Sequence, residues 1–252
     1  MSSKDQFKIK KTGNSYILYD ASIIVEPTLQ LFDADYHTNS GAQQNNSAFA
    51  DESAPGAGIG RAKVTYFQHE DIPLVLKHYY RGGAVASFIK DRYLGFNIEN
   101  TRAFKEWRLL KKMRSFELPV PEAVAAHVEK GLLFYRADLL TREIENCKTL
   151  ADFLLHQGLE TGQWKKIGKC IKHFHLLDIY HADLNARNIL LTDADDIYLI
   201  DFDNSYIRSG STLWKMANLA RLKRSLLKFK KNRDGFNFYQ DNWDALLEGY
   251  KS

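Results

Sequence analysis

Three residues in the last third of the chain carry groups that phosphate chemistry uses. Asp183 and Asn188 lie five positions apart in the polar run His181-Ala182-Asp183-Leu184-Asn185-Ala186-Arg187-Asn188, and Asp201 follows the apolar run Ile197–Ile200. A loop carboxylate can orient an incoming hydroxyl and take its proton. A side-chain amide oxygen and a second carboxylate suit Mg²⁺, which takes oxygen ligands and bridges phosphates through few protein contacts. Such a set can support phosphoryl transfer, where catalysis is mainly positioning and charge neutralisation. Any one of the acids alone would be read as capping a turn or a helix. The three together, inside one hydrophobic pattern, point to chemistry.

The elements that must hold them can be read from periodicity. Trp164, Ile167, Ile171 and Phe174 share one face of a helix expected over 163–178, which leads into the polar run. Ile189–Leu191 and Ile197–Ile200 form two short strands around the turn TDADD. Another helix is expected at 149–157, and 211–250 is mostly helical. Upstream, Tyr16–Tyr19, Lys63–His69 and Leu74–Tyr80 have strand composition, and Ala123–Val128 with Leu132–Tyr135 suggests a hairpin turning at Glu129–Gly131. Residues 101–115 place Phe104, Trp107, Leu110 and Met113 at helical spacing, with Thr101 able to cap the start. Pro119 and Pro121 end that pattern. The Asn-, Gln-, Ser- and Gly-rich stretch 33–57 reads as a long mobile loop. The fold class is therefore α+β, with a β-rich lobe over 1–136, a mainly helical lobe over 137–252, a hinge near 136–141 and a cleft between the lobes.

The run HADLNARN followed by Ile200-Asp201-Phe202-Asp203 resembles the protein-kinase catalytic loop H-R-D-L-x-x-x-N and the D-F-G motif. That resemblance implies a protein-kinase-like two-lobed fold, with Asp183 as catalytic residue and Asn188 and Asp201 as metal ligands. Lys77, in the strand-like LVLKHYY, stands where the phosphate-binding lysine would lie; an ordinary edge-strand lysine is the alternative. Its ion-pair partner is assigned to Glu106, because a rigid helix positions a carboxylate better; Glu99, just before the helix, competes. Gly58 and Gly60, with Gly56, would let backbone N–H groups approach the phosphates of ATP, although loop flexibility also explains them. Ala182 replaces the arginine that commonly binds a phosphorylated activation loop, and Asp203 replaces the glycine of D-F-G. Only 51 residues follow Asp201, without an A-P-E motif, which leaves little room for peptide-docking elements.

The segments HYYRGG, ENTRAFKEWRLL, LPVPEAVAAH, FYRADLL and HADLNARNILL are similar to those of the 3-deoxy-D-manno-octulosonic acid (Kdo) kinases, within the bacterial lipopolysaccharide kinase family. The likeness covers about residues 56–206. It implies transfer of phosphate from ATP, with Mg²⁺, to the 4-hydroxyl of Kdo on a lipid A precursor, at the cytoplasmic side of the inner membrane. A heptose kinase or another small-molecule kinase of the wider family is the enzymatic alternative. A non-catalytic lipid-binding module is the alternative of another class, and the presence of Asp183, Asn188 and Asp201 speaks against it.

Composition bounds the rest. The chain has 252 residues, 44% hydrophobic and 13% aromatic, enough for a sizeable core. Two cysteines do not make a disulfide framework and suggest a reducing, cytosolic compartment. The start MSSKDQFKIKK has no apolar region of a signal peptide, and no apolar run reaches membrane-spanning length, so a soluble or peripheral protein is expected. Net charge is only +4, but 215–233 holds eight basic residues and no acid. Leu219, Leu222, Leu226 and Phe229 form an apolar stripe between them. Given the lipid acceptor, this segment is assigned to an anionic inner-membrane surface and not to nucleic acid; packing of the stripe inside the helical lobe is the alternative. Arg81, Lys90, Arg92 and Arg102 form a basic insertion suited to carboxylates and phosphates, or a solvated surface. His173, His175 and His181 fit no common zinc spacing and read as core or loop-bracing residues.

Overall fold

The computed structural model describes residues 7–39, 63–79, 97–131, 135–210 and 212–252. The chain divides into two compact units, one comprising Met1–Lys111 and Glu122–Glu143, the other Lys112–Pro121 and Ile144–Ser252. The first carries a six-stranded antiparallel sheet and the second is mainly helical. The boundary expected at 136–137 falls inside a strand, because hydrogen bonding continues to Arg142 on both sides of it.

In the first unit the strands are β1 (Phe7–Thr12), β2 (Ser15–Asp20), β3 (Lys63–His69), β4 (Ile72–Tyr79), β5 (Ala123–Lys130) and β6 (Tyr135–Arg142), in the order β1-β2-β5-β6-β4-β3. β1 escaped the sequence reading because FKIKKT is almost wholly exposed. An edge strand rich in lysine buries little and resists further pairing. The hairpin of β5 and β6 exists, with its second strand described over Tyr135–Arg142; residues 132–134 of the expected strand lie outside the described residues. Residues 34–39 are not loop: α1 (Ala34–Asn39) starts there, with the Asp33 carboxylate accepting from the N–H groups of Asp35 and Tyr36, both at 3.0 Å. His37 stacks on Phe67 at 3.6 Å between ring centroids.

One face of the sheet carries a core of Ile17, Tyr19, Phe67, Leu74, Leu76 and Leu140, closed by Leu31 and Phe32 of the 3-10 turn Leu29–Phe32. A lateral row crosses that face. His78 (β4), Asp138 (β6) and His127 (β5) are in register, and both imidazoles engage the Asp138 carboxylate through Nδ1. Burial raises the pKa of that carboxyl, but the hydrogen bonds from His127 and His78 outweigh it and hold it below the ordinary value. α2 (Arg102–Ser115) follows the expected stripe, with Phe104, Trp107, Leu110 and Met113 buried. The Thr101 carbonyl accepts from Lys105 N–H at 3.0 Å, while its hydroxyl donates to Ile98.

The second unit contains β7 (Cys147–Thr149), α3 (Leu150–His156), α4 (Thr161–Leu176), β8 (Ile179–Tyr180), β9 (Ile189–Thr192), β10 (Ile197–Leu199), β11 (Tyr206–Ile207), α5 (Leu213–Asn232) and α6 (Gln240–Lys251). Its small sheets are β10-β9-β7 and β11-β8. Thr149 caps α3 through its Oγ1, which accepts from Asp152 N–H at 3.0 Å. α4 and α6 cross at glycines: a Cβ on Gly168 would lie 2.0 Å from the Leu246 carbonyl oxygen, and one on Gly249 2.1 Å from that of Lys165. Only hydrogen at both positions allows this approach.

Candidate active site

The first group of candidate residues is in the β-rich unit. β4 alternates Leu74 and Leu76 into the core just described with Lys77 and Tyr79 on the opposite face. Lys77 Nζ lies 3.1 and 2.9 Å from the two carboxylate oxygens of Glu106, on the second turn of α2. The Tyr79 hydroxyl donates to the same carboxylate. Lys77 Nζ stands 4.7 Å from the centre of the Tyr79 ring, and the Arg102 guanidinium 5.2 Å from it. Glu106 is 4% exposed, so this is a shielded, geometrically fixed pair. Glu99 is engaged elsewhere: Arg108 binds it in bidentate fashion at 2.7 and 2.8 Å. Tyr79 was not singled out from the sequence, although it sits two positions beyond Lys77 on the same strand face. Gly56, Gly58, Gly60, Arg81, Lys90 and Arg92 lie outside the described residues.

The second group is in the helical unit, on the loop between β8 and β9. His181 is its brace. The ring Nε2 pairs with the Ile200 carbonyl at 3.0 Å, and Nδ1 accepts from the Asp183 N–H at 3.1 Å. The two bonds together specify a neutral imidazole protonated at Nε2. Asn218 clasps the His181 peptide, accepting from its N–H at 3.3 Å and donating to its carbonyl at 3.0 Å. Asn188 Nδ2 donates to the Asp183 carbonyl at 2.9 Å, and the Asn188 carbonyl accepts from Ile200 N–H at 3.0 Å. The first of these fixes the orientation of the amide and leaves Oδ1 as its end suited to a cation. The loop that carries Asp183 and the strand end that carries Asp201 are therefore tied by His181 and Asn188.

Asp201 has φ +63°, in the left-handed region that aspartate tolerates better than most residues. Residues held there cluster at functional sites. The next residue, Phe202, is buried, stacked on Phe174 with centroids 5.8 Å apart and tilted against the His181 ring at 4.7 Å. That anchor fixes where the Asp201 backbone lies. The Asp183 side chain is by contrast 56% exposed, with Oδ2 accepting from Asn185 Nδ2 at 3.0 Å and Oδ1 from Arg221 Nη1 at 3.1 Å. The arrangement offers a solvent-reachable carboxylate on a rigid support. The oxygen donors of Asn188 and Asp201 fit Mg²⁺ in kind.

α5 runs beside this loop as a splint, which the sequence reading missed. Asn218 holds His181, Arg221 meets Asp183, Ser225 Oγ accepts from Ala186 N–H at 3.3 Å, and the Phe229 ring lies 5.1 Å from the Arg187 guanidinium. The spacing 218, 221, 225, 229 is one helical stripe, a signal that was open to view. The neighbouring stripe expected to meet lipid is internal: Leu219, Leu222 and Leu226 are buried and Phe229 is half-buried. The outward face carries Leu213, Met216 and Leu227 with Arg224, Lys228 and Lys231.

Of the three histidines, His175 and His181 are buried and His173 is exposed. His175 Nδ1 lies 2.8 Å from the Tyr250 hydroxyl, and burial lowers its pKa to about 4, so it is neutral at physiological pH. Among the described residues no group of three or more His, Cys, Asp or Glu is placed to hold a metal ion. Cys147 and Cys170 are not joined in a disulfide, and burial pushes the Cys170 thiol up to about 12.

Comparison with known proteins gives the family of the whole chain. The model of the Lipopolysaccharide kinase (Kdo/WaaP) family matches residues 50–250. A 3-deoxy-D-manno-octulosonic acid kinase of Actinobacillus succinogenes is 42% identical over 78% of this chain and 84% of its own. Proteins of the same name from Haemophilus influenzae and Vibrio vulnificus are 37% and 36% identical over 94% and 95% of this chain and 96% of their own length. With a family match across both groups of candidate residues and relatives aligned nearly end to end, the chain belongs to the lipopolysaccharide kinase family.

Proposed function

We propose that this chain transfers the γ-phosphoryl group of ATP to the 4-hydroxyl of Kdo on a Kdo-bearing lipid A precursor, and that it does so on a protein-kinase-like two-lobed fold. The observation that carries the reading is Asp183: an exposed carboxylate on a loop whose backbone is fixed by His181, Asn188 and Asn218. Asp183 accepts the proton of the attacking hydroxyl. Lys77, steered by Glu106 and Tyr79, meets ATP phosphate oxygens. Asn188 Oδ1 and Asp201 would hold Mg²⁺, which would supply positive charge to neutralise the phosphates. The braced loop also argues against a non-catalytic lipid-binding module, since binding alone would not require an exposed acid on so fixed a support.

The test is ATP consumption by the purified chain with no acceptor, with a Kdo–lipid acceptor and with a heptose-terminated acceptor. Consumption should rise with the Kdo acceptor, stop in excess chelator and return with Mg²⁺. Stimulation by heptose alone would move the assignment to a heptose kinase.

The same reading places the protein at the cytoplasmic side of the inner membrane as a peripheral enzyme. Among the described residues no helix is long and apolar enough to cross a membrane. The outward face of α5 supports attachment, since Leu213, Met216 and Leu227 stand exposed beside Arg224, Lys228 and Lys231. Each basic residue near an anionic surface contributes about 1 kcal/mol. Vesicle co-sedimentation should show binding to anionic lipid that weakens with salt; equal binding to neutral vesicles would remove the electrostatic attachment.

A further inference from the structure

We propose that Arg221 is the acceptor-binding residue that recognises the carboxylate of the sugar acid and so selects acidic sugars over neutral ones; this rests on the Kdo reading above. Arg221 Nη1 lies 3.1 Å from Asp183 Oδ1, one of the two oxygens that can take the hydroxyl proton. A guanidinium there occupies a place where the hydroxyl hydrogen would arrive, so in the resting protein it competes with the acceptor. It needs a purpose of its own. Holding the fold is not that purpose: the two side chains are 44% and 56% exposed, and pairs this open contribute little to stability. The loop is already fixed by Asn218 and Ser225, one turn to either side on α5. Those same contacts set Arg221 at a defined distance from Asp183.

Among the described residues the guanidinium makes this one ion pair, through a single nitrogen. Its fork has five donors in one plane and matches a carboxylate in bidentate fashion. In Kdo the carboxylate is borne by the ring carbon two positions from the one bearing the reacting hydroxyl. An acceptor that delivers the hydroxyl to Asp183 therefore brings its own carboxylate to the neighbourhood of Arg221. The guanidinium exchanges Asp183 Oδ1 for the acceptor carboxylate, and the freed oxygen meets the hydroxyl. No bond is made or broken in this step; one ion pair replaces another. A neutral sugar offers no such exchange.

The experiment is a cycle between protein and acceptor. Wild type, Arg221→Gln and Arg221→Lys are each assayed with the native Kdo–lipid acceptor and with its carboxamide analogue, and folding is checked by thermal melting. Wild type should favour the carboxylate by about 10–100-fold in kcat/KM, the range for a charge-assisted hydrogen-bonded pair. Arg221→Gln should lose a similar factor on the native acceptor and show no preference between the two. Arg221→Lys, which keeps the charge without the fork, should retain part of the preference. If Arg221→Gln lowers kcat equally with both acceptors and keeps the preference, Arg221 only orients Asp183 and the proposal is overturned while the Kdo reading stands. If wild type acts on neither Kdo acceptor but does on a neutral sugar, the Kdo reading itself fails.

Discussion

The two ion pairs at the candidate residues, Lys77–Glu106 and Arg221–Asp183, are built to opposite specifications. The first has side chains 15% and 3% exposed, two contacts between lysine and carboxylate, and a tyrosine hydroxyl on the same acid. The second has side chains 44% and 56% exposed and one contact. Burying a pair makes its separation costly, so the first fixes a lysine in place before any ligand arrives. An exposed pair separates at little cost, so the second can be exchanged as a substrate enters. In the proposed function, preorganisation belongs with ATP, whose phosphates every turnover presents alike. Exchangeability belongs with the group proposed to accept a new hydroxyl each time.

Substitutions should break this contrast in a definite order. The largest effect falls on Asp183. Asp183→Asn keeps the shape but cannot take a proton, and turnover should drop by about 10²–10⁴-fold, measured as initial rates, with the melting temperature nearly unchanged. A variant with near-normal turnover would remove Asp183 from the chemistry. Next comes the shielded pair. Glu106→Ala removes the carboxylate that meets a largely buried ammonium, and urea melts should show a loss of about 3–5 kcal/mol together with impaired ATP use. Lys77→Ala combined with it should cost less than the two separate losses added; simple additivity would mean that the pair does not act as a unit.

Asp138, on the other face of the same sheet, sharpens the point that shielded acids here carry stability. Its carboxyl is held below the ordinary value by His127 and His78. Because the folded pKa is the lower one, the stabilisation is full above the ordinary carboxylate range and is lost as pH falls through the folded value. Asp138→Asn should therefore be less stable than wild type by about 1.5–3 kcal/mol at neutral pH, and the gap should close below about pH 4, read from melts across pH. A gap constant with pH would assign the effect to packing. The smallest effect is expected for the exposed pair: Arg221→Gln should alter folding stability by less than about 1 kcal/mol.

The candidate loop was legible because its parts are contiguous: Asp183, Asn188 and Asp201 lie within one loop and one hairpin. Lys77 and Glu106 were legible because one sits on an alternating strand and the other on a strongly periodic helix. The choice between Glu106 and Glu99 became certain only with Arg108 in view, since its bidentate grip on Glu99 depends on helix geometry. The splint along α5 was not seen, because Asn218, Arg221 and Ser225 are ordinary surface types lying 37 to 39 positions from their partners. Their stripe was also hidden beside a more conspicuous leucine stripe, which attracted a membrane reading and proved internal. β1 was missed for the opposite reason: an exposed edge strand leaves almost no hydrophobic pattern to read.

The central claim is the identity of the acceptor atom, and one product analysis tests it most directly. Wild type and Asp183→Asn are incubated with ATP, Mg²⁺ and a Kdo–lipid acceptor, and the lipid is examined by mass spectrometry and phosphorus–proton correlation spectroscopy. A single added phosphate on the Kdo 4-oxygen with wild type, and almost none with Asp183→Asn, is the expected result. ATP consumed with no phosphate on Kdo, or phosphate on another oxygen, would contradict it.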